Sequence, residues 1–220
     1  MADKLLMIVT NAGWLDEDHK TGLWLSEFAE PYMEFTQAGY DVTVASVAGG
    51  EIPIDPNSIS GEEPEEWEGV MEPLKDTQSL ETVDPAQYVG VFLPGGHGTM
   101  VDFPNNRTMK RVLEPFVAED KVIGSVCHGP AGFVGINDKD GNAFVDGKRM
   151  TSFTNEEEKD TELDGKVPFL LETRLTELGA TFLAEPNYTV HVEADGNLVT
   201  GQNPQSSLDT ARKFLQKLKA

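Results

Sequence analysis

The chain has a single cysteine among its 220 residues. No internal disulfide can form, so disulfides supply no stability here. Positive charge is also scarce: 17 Lys and Arg stand against 38 Asp and Glu, a formal net charge of −21. A surface this acidic repels phosphate backbones and anionic headgroups, so nucleic-acid and membrane partners are excluded on electrostatic grounds. Long apolar runs are missing as well, and none approaches the roughly 20 residues that a bilayer-spanning helix needs. The apolar stretch at 5–9 is too short for a secretory core and stops at Asn11 and Gly13. A cytoplasmic location is the expectation. Neither an internal repeat nor a linker divides the sequence, which predicts one domain over 1–220. A chain of this length buries roughly 70% of its unfolded surface, enough for one sizeable core.

What is present is an alternation of strand-like and helix-like segments. Residues 4–10, 88–93 and 121–126 are near-continuous apolar runs, the pattern of strands covered on both faces. A further strand is predicted over 40–47. Phe28, Tyr32, Phe35 and Ala38 recur at helical spacing before Gly39, with Pro31 expected in the early turns. Helices are also predicted over 105–118, 130–136, 167–178 and 204–218. A hairpin is expected over 138–150, and two short strands over 188–192 and 197–200. Residues 49–83 hold prolines and the acidic run 61–66. They predict a surface excursion with short helical pieces, such as 70–80, acting as a solvated loop, a lid or part of a subunit contact. The expected fold class is α/β: three layers, a mostly parallel sheet with helices on both faces, flavodoxin-like in plan. In such sheets, ligands sit beyond the carboxyl ends of the strands.

Cys127 falls at that edge. A lone cysteine is by itself a small buried apolar residue, but Ser125-Val126-Cys127-His128-Gly129-Pro130 places this one between a strand and a helix, with small residues two before and two after. That is the pattern of a nucleophile elbow. N–H groups of the following helix are expected to lower the thiol pKa and to supply oxyanion donors. His128 is the first candidate for the base, and His97 the second. Gly95-Gly96-His97-Gly98 follows another strand, and its glycines permit close backbone approach, with Gly95 or Gly96 offering a second oxyanion N–H. It lacks the spacing of a phosphate loop, so nucleotide binding is rejected. His19 lies in the acidic loop 16–19, where an exposed loop is a simpler reading than a metal site. His191 reads as structural.

Leu-Pro-Gly-Gly-His-Gly-Thr at 93–99 followed by Val-Cys-His-Gly-Pro at 126–130 resembles the ThiJ/PfpI superfamily, relatives of class I glutamine amidotransferases. The segments 21–27, 151–158 and 198–204 resemble its heat-shock-protein-thirty-one-type branch of glyoxalase III and chaperone-like proteins. The resemblance runs over nearly the whole chain. It implies Cys127 as nucleophile, His128 as triad histidine and Glu158 as triad acid, with Glu157 a rival because three glutamates are consecutive. It also implies Glu27 as a buried acid facing the cysteine, and the N–H groups of Gly96 and His128 as oxyanion donors, with Gly95 and His97 in the same substrate-facing loop. The activity implied is conversion of a small aldehyde, methylglyoxal, to lactate, with neither a metal nor an organic cofactor, in a homodimer. A cysteine hydrolase (peptidase, amidase or deglycase) would use the same triad. A holdase chaperone or redox sensor is the non-enzymatic alternative.

Overall fold

The structure is a computed structural model and describes residues 2–220. Its elements, in order, are β1 (Lys4–Val9), α1 (Leu25–Gln37), β2 (Asp41–Ser46), α2 (Trp67–Val70), β3 (Gln78–Ser79), β4 (Gly90–Leu93), α3 (Thr99–Asp102), α4 (Arg107–Ala118) and β5 (Val122–Val126). There follow β6 (Arg149–Met150), α5 (Asn155–Asp160), α6 (Leu171–Glu177), β7 (Thr181–Phe182), β8 (Val192–Asp195), β9 (Leu198–Gly201) and α7 (Ser207–Leu218). Seven strands form one sheet in the order β3-β2-β1-β4-β5-β9-β8, with β6 and β7 paired separately. All neighbours in the large sheet run parallel except the β8–β9 hairpin.

Strand alternation sorts the core into two halves. Leu5, Met7, Val9 and Phe92 face one side, where Phe28 and Phe35 of α1 and Phe214 of α7 cover them. Leu6, Ile8, Val91 and Leu93 face the other, under Met109, Val112 and Phe116 of α4 and Leu175 of α6. Both faces are therefore apolar and covered, which is why these strands read as continuous runs rather than alternating ones. The three-layer expectation holds.

Several local expectations are corrected. α1 begins at Leu25, so Pro31 is its seventh residue, inside the helix. Lacking an N–H, Pro31 leaves the Glu27 carbonyl without its usual partner four residues on. Tyr188 takes a left-handed backbone and the strand starts only at Val192. The expected 138–150 hairpin is reduced to one turn bridged by Asn137 and Ala143, because Arg149 and Met150 pair parallel with β7 instead. After Cys127 the chain enters a five-residue 3-10 turn, Gly129–Phe133, rather than an α-helix. The 49–83 excursion is less detached than expected. Gln78 and Ser79 form the sheet edge, and Ile54 bridges to Leu23. The acidic run itself stays at the surface.

Candidate active site

β5 delivers Cys127 to the carboxyl edge of the sheet with φ 59°, a left-handed conformation that costs a non-glycine residue energy. The surroundings impose it. Cys127 N–H donates to the Gly201 carbonyl at 3.0 Å, and Phe153 N–H donates to the Cys127 carbonyl at 2.9 Å. Gly129 must be glycine, because a Cβ there would lie 2.2 Å from the Leu93 carbonyl oxygen.

Turning the backbone this way lets two neighbours in sequence face each other. His128 Nδ1 lies 3.3 Å from Cys127 Sγ, and its Nε2 lies 2.6 Å from Glu158 Oε2. A second imidazole shares the same carboxyl, with His97 Nε2 2.5 Å from Glu158 Oε1. The two rings lie with centroids 4.1 Å apart and planes tilted by 41°.

The ambiguity between adjacent glutamates disappears on α5. Successive helical residues point about 100° apart, so Glu157 and Glu158 cannot share a role. Glu157 closes a capping box with Thr154 and accepts from Tyr188 N–H, Gln202 Nε2 and Asn203 Nδ2. Glu158 faces the histidines. Burial works against ionisation of Glu158, yet the charge and hydrogen bond of His128, then those of His97, outweigh it and hold the carboxyl well below the usual range. His128 is pushed below its ordinary value, chiefly by burial and then by His97.

Glu27, fully buried on α1, comes to the same place. Its Oε2 accepts from Gly95 N–H at 2.7 Å, while Oε1 is sealed without a partner. Burial pushes its pKa up to about 8, with interactions from Cys127 and the Gly95 N–H pulling the other way. The expectation of a lowered thiol pKa is not met. Cys127 is 3% exposed, and burial, followed by the nearby Glu27 charge, pushes the thiol well above its ordinary value. A single 3-10 turn has too few aligned dipoles to reverse this.

The candidate oxyanion donors are also narrowed. Gly95 spends its N–H on Glu27, which leaves Gly96 and His128; among the described residues neither of those N–H groups has a protein acceptor. Gly96 has φ 98°, and a Cβ on it would lie 2.2 Å from the Gly22 carbonyl oxygen. Thr99, which sequence reasoning did not single out as a site residue, donates to both the Gly96 and His128 carbonyls at 2.8 and 2.9 Å. One hydroxyl thus fixes both donor segments together.

A cleft of about 530 Å³ borders this site, lined among others by Thr21, Trp24, Asp55, Asn57, His97 and Lys166. Asp55 and Asn57 come from the excursion, so that segment builds one wall. His19 is at the cleft rim, bonded to Asp16, and not in a metal cluster. His191 sits outside the site, at the start of the β8–β9 hairpin. Among the described residues, only His97, His128 and Glu158 bring metal-type donor atoms together, within 4.8 Å of one another. At 2.5 and 2.6 Å those contacts are short hydrogen bonds, and an ion there would have to displace them.

A three-layer α/β sheet with a strained cysteine elbow, a His–Glu pair behind the sulfur and a buried acid beside it defines a class of nucleophilic cysteine proteins. Residues 21–217 match the DJ-1/PfpI family, and the chain belongs to that family. Among curated relatives, glyoxalase 3 of Candida albicans is 32% identical, covering 96% of this chain and 97% of its own. The protein/nucleic acid deglycase HchA of Pseudomonas aeruginosa is 28% identical over 93% of this chain and 77% of its own. The crystal structure of glyoxalase III from Candida albicans superposes with a TM-score of 0.87 at 28% identity, covering 98% of this chain and 97% of that one. No helix among the described residues is long and apolar enough to cross a membrane.

Proposed function

We propose that this protein is a glutathione-independent glyoxalase that converts methylglyoxal to lactate on Cys127, as a protection against reactive aldehydes. The observation that carries this reading is the placement of two separate acid–base systems around one sulfur. His128, backed by Glu158, lies on one side at 3.3 Å. Glu27, held neutral near pH 7, interacts with the same sulfur.

Isomerising a 2-oxoaldehyde needs both systems. His128 takes the thiol proton as the sulfur bonds the aldehyde carbon, and the resulting oxyanion is stabilised by the Gly96 and His128 N–H groups. The hemithioacetal then loses its carbon-bound hydrogen as a proton. An enediol forms, and the proton is returned to the neighbouring carbon. Glu27, with a pKa of about 8, exchanges protons at little cost near neutrality. The thioester so formed is hydrolysed. The balance is RCOCHO + H2O → RCH(OH)COO− + H+.

The test is a methylglyoxal assay with lactate detection, run beside Cys127→Ser and Glu27→Gln. Wild type producing lactate and both variants losing at least about a hundredfold in rate is the expected result. Absence of lactate from wild type, with turnover of an amide or glycated substrate instead, overturns it. That outcome would install the second reading, a cysteine hydrolase or deglycase. The observation favouring this alternative is the cleft of about 530 Å³, in the range of sites that bury drug-sized ligands.

A further inference from the structure

From the shared carboxylate, we infer that His97 is the general base for the hydrolytic half of the reaction, an assignment that rests on the glyoxalase reading. Glu158 treats its two histidines alike. Each presents Nε2 to one carboxylate oxygen, at 2.6 Å for His128 and 2.5 Å for His97. A carboxylate only accepts, so each ring carries a proton on Nε2, and the neutral form of either ring then has its lone pair on Nδ1. The two Nδ1 atoms differ in what they face. That of His128 faces the sulfur. That of His97 makes no hydrogen bond to the protein, is not among the sealed polar atoms, and belongs to a ring that lines the cleft.

The chemistry requires a base in that position. His128 is 1% exposed and its free nitrogen is directed at Cys127, so water arriving through the cleft meets His97 first. With centroids 4.1 Å apart and planes tilted by 41°, the rings keep His97 directly beside the imidazole that serves the sulfur. In the step assigned to it, His97 Nδ1 takes one proton from water while the water oxygen bonds the thioester carbon. The carbon–sulfur bond breaks and its electron pair stays on sulfur. The carboxylic acid formed ionises, one proton returns to the sulfur, and the proton on His97 leaves through the cleft. That departing proton is the one the overall balance demands. Glu158 stabilises the transient imidazolium, as it does for His128. One acid therefore serves two bases, one for addition and one for hydrolysis.

The experiment separates the two half-reactions. His97→Gln keeps a donor toward Glu158 but has no base. Lactate turnover is expected to fall about 10²–10⁴-fold, while the single-turnover rate of acyl-enzyme formation stays within a few-fold of wild type. Intact-mass analysis should then show the thioester accumulating on Cys127. Hydroxylamine, a nucleophile that needs no base, should restore turnover by releasing the hydroxamate. His97→Asn is the second variant, and both are checked for wild-type unfolding temperature. Turnover near wild type in a folded variant overturns the assignment of His97. So does an equal fall in both half-reactions, which would leave His97 merely positioning Glu158. If wild type forms no acyl-enzyme from methylglyoxal, the glyoxalase reading itself fails, a result distinct from either.

Discussion

Replacing Glu157 by glutamine should destabilise the fold far more than its size suggests. Its Oε1 accepts three hydrogen bonds, from Tyr188 N–H at 2.9 Å, Gln202 Nε2 at 3.1 Å and Asn203 Nδ2 at 2.9 Å. Its Oε2 accepts a fourth, from Thr154 N–H at 3.0 Å. Every partner is a donor, so an amide cannot satisfy them all. With its oxygen kept toward the three, its NH2 faces the Thr154 N–H, leaving a buried donor unpaired at about 1–3 kcal/mol. The other three bonds fall from charge-assisted to neutral, each losing roughly 1 kcal/mol. Allowing for partial relaxation, the sum is about 3–5 kcal/mol. For a domain of this size that lowers Tm by on the order of 10 °C. Calorimetry on Glu157→Gln, with the exposed neighbour Glu156→Gln as control, measures it; the control should move by no more than about 0.5 kcal/mol. A fall of less than about 2 °C in Glu157→Gln would refute the reasoning, because it would mean the donors find other acceptors. Activity should drop in parallel below the transition, since the same helical turn carries Glu158.

Other consequences follow from the same geometry. Glu158→Gln leaves one oxygen for two imidazole N–H groups, sets its own NH2 against the other and removes the negative charge, and should cut turnover by about 10²–10⁴-fold, with steady-state kinetics as the check. Gly95→Ala puts a Cβ 2.7 Å from both Glu27 Oε2 and the His128 nitrogen, so it should abolish turnover and lower Tm. Glu27 has its folded pKa raised from the ordinary 4.5 to about 8, so the native state binds the extra proton across that window. The contribution of Glu27 to stability is then full below about pH 4.5 and is lost as pH rises toward 8. Urea unfolding between pH 5 and 9 should show the slope in wild type and a flatter profile in Glu27→Gln. The opposite sign applies to Glu158, whose lowered pKa gives stability present above pH 4.5 and lost in acid.

Much of this architecture is legible in the sequence because the sheet's central strands are buried on both faces. Runs such as those of β1 and β4 declare themselves without regard to partners. The elbow is legible for a related reason: glycine is required where backbones touch, and Gly129 and Gly96 mark those points. Roles decided by distant partners are not legible. Nothing local separates Glu157 from Glu158, since the choice is made by Tyr188, Gln202 and Asn203, some 30–45 positions away. Thr99 looks like an ordinary helix-start residue until Gly96 and His128 converge on its hydroxyl. The β3 edge strand is two residues long and owes its existence to Ala45 and Ser46 rather than to any propensity of its own. His97 lies in the glycine-rich loop that the sequence marks, but its contact with Glu158 is made across the fold and has no local signal.

The raised thiol changes how the nucleophile must work. A sequence reading of the elbow leads to a pre-formed thiolate, held by helix dipoles and open to solvent. Here the sulfur is buried, and the acid beside it is held neutral as well. With Glu27 raised to about 8 and the thiol raised well above its ordinary value, at neutral pH each group keeps its own proton, and the repulsion that an ionised Glu27 would add to Cys127 is then absent. Burial, with the charges of Glu157 and Glu158, still holds the thiol up, and in the proposed reaction His128 Nδ1 at 3.3 Å answers this by accepting the proton during attack rather than before it. Such a nucleophile stays uncharged, and so less open to oxidation, until a carbonyl is in place. In a buried site that is the arrangement with the smallest unpaired charge at every step. It also explains why the carboxyl serving His128 is held ionised while the one serving Cys127 is held neutral. Two glutamates of the same intrinsic acidity are driven apart by environment, one surrounded by imidazoles and the other by apolar walls, and that difference lets a single sulfur be both protected and reactive.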